Sequence, residues 1–291
     1  MTNYLNEYKQ MIVFRNLSDH TFKSYCTYIT VYLDYCQNIL YKSPEDMSWQ
    51  DIRDFIMFLQ CKRNLANRTI NACIAQLKFF TNYVLHKKWD DFQVPKKKFN
   101  TFLPFVPSQQ QVNDFIDSFD NLKHKAMVAL MYSSGLRLSE VCALKYDDIT
   151  RANMRIRIRY AKNRQEDFVP LSKKTLDILT KYWKEFGKPT NWLFPKQRDK
   201  NNVFDKPIDT FYISRHIKAK CESLKLPYKI TCHSLRHAYG THLYEMGNDI
   251  LTIKKLLRHK SLASTLIYVH IANNSFNNVI NPFDEFEHGR S

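Results

Sequence analysis

Apolar residues recur three and four positions apart through one segment after another of this chain, a period that restricts it to a fold built mainly of helices. Residues 18–40 carry such a face at Phe22, Cys26, Ile29, Leu33 and Cys36, with Ser18 placed to cap it. Residues 48–62 repeat it through Ile52, Phe55, Ile56 and Leu59, entered by Ser48 with Asp51 three positions later. Residues 67–86 continue it through Ile70, Cys73, Ile74, Leu77 and Tyr83. The stretch VPKKKFNTFLPFVPS, 94–108, breaks the pattern, because three prolines and three consecutive lysines disfavour helix. It reads as an extended basic linker after a helical domain. Helical spacing then returns at 108–119, 122–133, 136–144, 172–186, 209–225, 234–246, 249–258 and 261–270. Only 154–170 changes period: MRIRIRY alternates apolar and basic residues, AKNRQED makes a polar turn, and FVPL resumes apolar character. That is a hairpin with Arg155, Arg157 and Arg159 on one face. The fold class is therefore mainly α with a small β-hairpin or sheet, in two domains.

Charge is unevenly spread along this architecture. The formal net charge is +16. Residues 1–95 hold eleven Lys/Arg against nine Asp/Glu, and the remaining 33 and 19 lie in 96–291. A basic excess of this size favours a polyanionic partner, since phosphate contacts release condensed counterions. Lys23, Arg68, the linker lysines Lys96, Lys97 and Lys98, the three hairpin arginines and Arg164 are candidates to meet DNA phosphates. No run of about 20 apolar residues is present to span a membrane. Seven cysteines without a CxxC pair read as reduced thiols, which favours a cytoplasmic compartment.

Chemistry-bearing side chains concentrate in one stretch, CHSLRHAYGTHLYEMGNDILTIKKLLRHKSLASTLIYVH, from Cys232 to His270. His233 and Arg236 stand three apart at a helix start, where free amides already favour phosphate. An arginine fork matches phosphate oxygens as a lysine point charge does not. His259 sits at a helix end, nine residues before Tyr268. A tyrosine nucleophile, with its pKa near 10, needs surrounding positive charge or a base. Basic groups beside a tyrosine point to transesterification of a phosphodiester. Competing chemistries lack their residues. His233 and His237 have the spacing of a helical metal pair but no glutamate beside His233. There is no GxxxxGK[ST] loop and no GxSxG elbow, and the acidic residues are scattered. For His237 and His242 the better reading is a satisfied helix histidine.

Four boxes in order resemble the phage-integrase family of tyrosine recombinases. SSGLRLSEVCALKYDDI (133–149) is similar to the first arginine box, and RYAKNRQEDFVPL (159–171) to the β-hairpin lysine segment. HSLRHAYGTHL (233–243) resembles the H-x-x-R box, and LLRHKSLASTLIYVH (256–270) the closing histidine–tyrosine box. Residues 19–90 have the look of the family's core-binding domain. The resemblance implies a clamp on duplex DNA: a helical core-binding domain over 1–93, a linker over 94–108, a catalytic domain over 109–270 and an exchange tail over 271–291. Arg137 and Arg236 would grip the scissile phosphate, and Tyr268 would attack it to leave a 3′-phosphotyrosine. Lys162 would protonate the departing 5′ oxygen, His233 would be the acid–base partner, His259 would bond a phosphate oxygen and Glu140 would orient a neighbour. No cofactor and no metal are implied. Tail residues Ile271, Val279, Ile280 and Phe283 would dock on a neighbouring protomer, giving a monomer when free and a homotetramer on two synapsed sites. VINPFD (279–284) reads like the ends of integron and mobile-element integrases.

Two departures from the family pattern stand out. Arg258 precedes His259 where the family has glycine, and Ala161 and Asn163 flank Lys162 where it favours glycine. A type IB topoisomerase-like nicking–closing enzyme would use the same residues, and a catalytically silent DNA-binding accessory protein is the non-enzymatic alternative.

Overall fold

The computed structural model describes residues 2–16, 19–100, 103–159, 166–196 and 206–272. The chain divides into two compact units, Met1–Thr101 and Phe102–Ser291. The faces that the helices bury are set by the apolar period in both units.

The described residues of the first unit form the α-helices α1 (Thr2–Phe14), α2 (Asp19–Tyr35), α3 (Trp49–Cys61) and α4 (Asn67–Tyr83). The first of these was not evident from the sequence. Its segment is rich in polar residues, and tertiary packing supplies what local preference does not: Tyr8 and Ile12 are buried, with the Tyr8 ring edge-on to Phe79 and Phe80 at 5.5 and 5.9 Å. α2 runs into one wider turn, Cys36–Leu40, which stops at Tyr41 in left-handed geometry. Ser48 and Asp51 form a reciprocal capping box at the start of α3. Ser18 lies outside the described residues.

The basic stretch after α4 begins inside this unit. Val94 is buried in its core. Asn71 of α4 clasps Lys97 on both sides, its Nδ2 donating to the Lys97 carbonyl at 2.8 Å and its Oδ1 accepting from the Lys97 amide at 2.7 Å. One turn earlier, Asn67 Nδ2 donates to the Lys98 carbonyl at 2.9 Å. These contacts fix the backbone while Lys96 and Lys98 stay exposed.

The second unit is built around α6 (Leu122–Ser133), in which every residue from Ala126 to Met131 is buried. A helix apolar on all sides belongs at the centre. Around it pack α5 (Gln109–Asp117), α7 (Leu138–Cys142), α8 (Lys173–Glu185), α9 (Thr210–Ser223) and α10 (Cys232–Glu245). Side-chain caps start α5, α8 and α9 at Ser108, Ser172 and Asp209, each worth about 1 kcal/mol. A three-stranded antiparallel sheet, β1 (Ile149–Thr150), β2 (Arg155–Ile158) and β3 (Asp167–Pro170), includes the expected hairpin plus a short strand that sequence alternation was too brief to reveal. Ile156 pairs with Val169, and both turn inward with Ile158. The hairpin tip, with Lys162 and Arg164, lies outside the described residues, as do Val279, Ile280 and Phe283. Two last helices, α11 (Ile250–Leu256) and α12 (Ala263–Ile271), pack on α10 around Tyr239, Ile253, Leu257 and Tyr268. No helix among the described residues is long and apolar enough to cross a membrane.

Candidate active site

α10 joins the core of the second unit to a cluster of polar side chains. Leu235 and Ala238 face the core, whereas His233, Arg236, His237 and Gly240 lie beside α12 and the turn after α6. Thr231 caps the helix and fixes its first turn, accepting from the Ser234 amide at 3.0 Å.

Arg236 is 2% exposed, and its guanidinium is pinned by two backbone carbonyls from separate segments. Nη1 donates to the Gly135 carbonyl and Nη2 to the Leu257 carbonyl. Gly135 is required at its place twice over. Its φ of +58° suits glycine, and a β-carbon would stand 2.5 Å from Cδ1 of Tyr239. Burial and the repulsion of Arg137 lower the Arg236 pKa to about 10, which leaves it charged at neutral pH.

Arg137 lies just before α7. The three-residue spacing to Glu140 brings the pair together as helix cap and third residue, rather than along a helix face. Glu140 accepts from the Arg137 amide at 2.7 Å and from its Nη1 at 2.8 Å. Arg137 Nη2 also donates to the Arg258 carbonyl at 3.3 Å, while the side chain keeps 43% exposure. Arg258 in turn places Nη2 on the second Glu140 oxygen. Burial pulls Glu140 upward, but Arg258 and the Arg137 hydrogen bonds outweigh it and hold the carboxyl below its ordinary range.

Tyr268, on α12, is 1% exposed, and its ring lies against the α10 backbone at Gly240. The His259 ring stacks parallel to it at 6.1 Å, and the His237 ring meets it edge-on at 5.8 Å. Burial raises the Tyr268 pKa to about 12 against the opposing pull of Arg236 and Arg137, so the phenol holds its proton at neutral pH. His237 and His259, and His233 beside His237, are held neutral. Burial, then Arg236 and Arg137, lowers His233. Burial and the neighbouring charged groups take His237 and His259 to about 4. His259 Nδ1 meets Thr265 Oγ1 at 2.9 Å. When that hydroxyl donates, the ring proton sits on Nε2.

The structure thus brings together Arg137, Glu140, His233, Arg236, His259 and Tyr268. Two further residues join them that the sequence reading left aside. His237 was read as a satisfied helix histidine, yet its ring is 4.3 Å from that of His233, and its Nδ1 is buried without a hydrogen-bond partner. Its i+4 spacing from His233 was the available signal. Arg258 was noticed only as a departure from glycine. His242, by contrast, is partnered by the Tyr132 hydroxyl at 3.0 Å. Among the described residues no third metal-ligating side chain joins His233 and His237.

The basic candidates fall into separate places. Lys23 and Arg68 are exposed in the first unit, and Arg155 is exposed on the sheet. Arg157 and Arg159 are not free cations: both donate through Nε to the buried carboxylate of Asp148, at 3.1 and 2.6 Å.

Comparison with known proteins matches residues 107–275 to the phage integrase family and residues 4–91 to the phage integrase N-terminal SAM-like domain. A Sinorhizobium fredii protein named as an integrase/recombinase, y4qK, is 34% identical over 271 residues, covering 93% of this chain and 85% of its own. Tyrosine recombinase XerD of Listeria monocytogenes is 29% identical over 285 residues, covering 90% and 91%. Among solved structures, a lambda integrase dimer bound to a core site superposes with a TM-score of 0.74 at 15% identity, covering 96% of this chain and 99% of that one. XerH recombinase bound to its difH substrate gives 0.71 at 18% identity, covering 90% and 79%. These likenesses, with the family matches spanning both units, settle the assignment: the chain belongs to the phage integrase family, the tyrosine recombinases.

Proposed function

We propose that this protein recombines duplex DNA at specific sites, with Tyr268 as nucleophile and Arg137, Arg236, His233 and His259 as the groups that activate the phosphate. The observation that carries this reading is the placement of a buried tyrosine ring against the neutral rings of His237 and His259. That ring lies within the electrostatic reach of Arg236 and Arg137, with His233 beside His237. In the proposed step the Tyr268 oxygen forms a bond to phosphorus, and the bond from phosphorus to the 5′ oxygen breaks. The phenol proton goes to His233, which its low pKa keeps available as a base. The departing 5′ oxygen takes a proton from Lys162. Negative charge on the pentacoordinate phosphorus is met by Arg137, by the N–H groups of Arg236 not spent on carbonyls, and by His259 Nε2. The 5′-hydroxyl of another strand then reverses the step, so strands exchange through a Holliday junction without hydrolysis.

Duplex DNA is the proposed substrate, and structural relatives are named as complexes with DNA. The lysines at 96–98, Lys23, Arg68 and Arg155 would meet its phosphates. A role in moving a mobile element, and a tetramer joined through 271–291, complete the proposal; one relative of the same fold is an integrase of the transposon Tn1549. The test is incubation with a nicked duplex whose short product diffuses away. Wild type should leave a covalent protein–DNA band, and Tyr268→Phe should abolish the band while still binding DNA. Two labelled duplexes should yield joint products; labelled duplexes that are only nicked and resealed would point to a topoisomerase instead.

A further inference from the structure

We infer that Arg258 is a positioning residue for the phosphate-gripping Arg137, acting through Glu140; this rests on the phosphotransfer reading of the site. α11 ends with the His259 amide donating to the Lys254 carbonyl and the Arg258 amide donating to the Lys255 carbonyl, each at 3.0 Å. This paired arrangement puts Arg258 at the left-handed position that glycine ordinarily fills, with a φ of +53°. The end of α10 makes the same pattern through Asn248 and Gly247, and there glycine is used, at φ +86°.

Asn64 and Lys225, two other side chains at left-handed positions, are exposed. Arg258 is not. Its side chain is 5% exposed and reaches back to Glu140, itself 9% exposed. Its Nη1 also donates to the Leu256 carbonyl at 3.2 Å, while its Nε is buried without a partner. What it completes is a closed circuit. Glu140 holds Arg137 by amide and guanidinium, Arg258 holds the other side of Glu140, and the Arg258 carbonyl accepts from Arg137 Nη2.

The circuit has an electrostatic consequence as well as a geometric one. A lone Glu140 against Arg137 would cancel the charge that the phosphate needs. With Arg258 on the same carboxylate the trio carries a net positive charge, and Glu140 can fix the fork of Arg137 without neutralising the site.

Substituting Arg258→Gly tests this with a built-in sign. Glycine relieves the backbone strain, so a residue serving only the helix end would leave the protein as stable or more so and as active. The inference predicts unchanged DNA affinity and a melting temperature at or below that of wild type, because Glu140 loses one partner of a buried ion pair while the turn is relieved. It also predicts single-turnover cleavage at saturating DNA roughly ten- to hundredfold slower, the loss expected when a gripping group is misplaced. Arg258→Lys should recover part of the rate, and in a Glu140→Gln background Arg258→Gly should cost nothing further. Arg258→Asn, which also tolerates the left-handed turn, should slow cleavage as glycine does. Cleavage by Arg258→Gly at or above the wild-type rate, or a lysine variant no faster than glycine, overturns the inference alone. Failure of wild type to cleave overturns the phosphotransfer reading with it.

Discussion

Gly240 and Tyr268 share one space: a β-carbon on Gly240 would stand 2.6 Å from Cζ of the Tyr268 ring and 2.7 Å from Cε2. Helix α10 therefore presents bare backbone where the candidate nucleophile lies, and the stacked His259 ring sits against the same tyrosine. Alanine is the better helix former by about 1 kcal/mol, so selection for helix stability alone would not keep glycine there.

Gly240→Ala should accordingly keep the fold and DNA binding while displacing the Tyr268 ring. Formation of the covalent DNA complex should slow by roughly a hundredfold, the cost of an ångström-scale misplacement. A variant that cleaves like wild type would show that the ring position in the free protein has no bearing on attack.

The base proposed for the tyrosine proton makes a pH prediction. Burial, Arg236 and Arg137 hold His233 below the ordinary histidine range, so its unprotonated form persists as pH falls through about 6.5, the usual imidazole value. With DNA subsaturating, where the profile reports the free protein, cleavage should stay level from about pH 8 to pH 6.5 and decline only below. A decline centred at or above about 6.5 would contradict this assignment.

Asp148 is 1% exposed and holds Arg157, Arg159 and the Lys145 amide. Removing one partner of a buried charge cluster costs about 3–5 kcal/mol. Both arginines are 28–29% exposed and can turn to water, so Asp148→Ala should fall near the low end, about 3 kcal/mol, by denaturant titration. If stability is unchanged, the two arginines are surface cations after all.

That pair of arginines shows where sequence reading ran out. Alternation in MRIRIRY was enough to set Ile156 and Ile158 inward and the arginines outward, because side-chain period is a local property of a strand. It could not show that Asp148, a few residues upstream, would meet two of the three, since that depends on how β1 brings the preceding turn against β2. The capping box at Ser48 was legible because donor and acceptor lie within one helical turn. Helix α1 was not, because its place depends on Phe79 and Phe80, some seventy residues away. In the site, boxes of consecutive residues identified Arg137, His233, Arg236, His259 and Tyr268. The contacts of His237 and Arg258 arise only when α10, α11 and the start of α7 converge.

The account stands or falls on which atom takes the phosphate. Wild-type protein trapped on a nicked duplex, digested with nuclease and protease and read by tandem mass spectrometry, gives that directly. A nucleotide joined through its 3′-phosphate to the Tyr268 oxygen is the expected result. A nucleotide on any other residue, or no adducted peptide while DNA is cut, would contradict it.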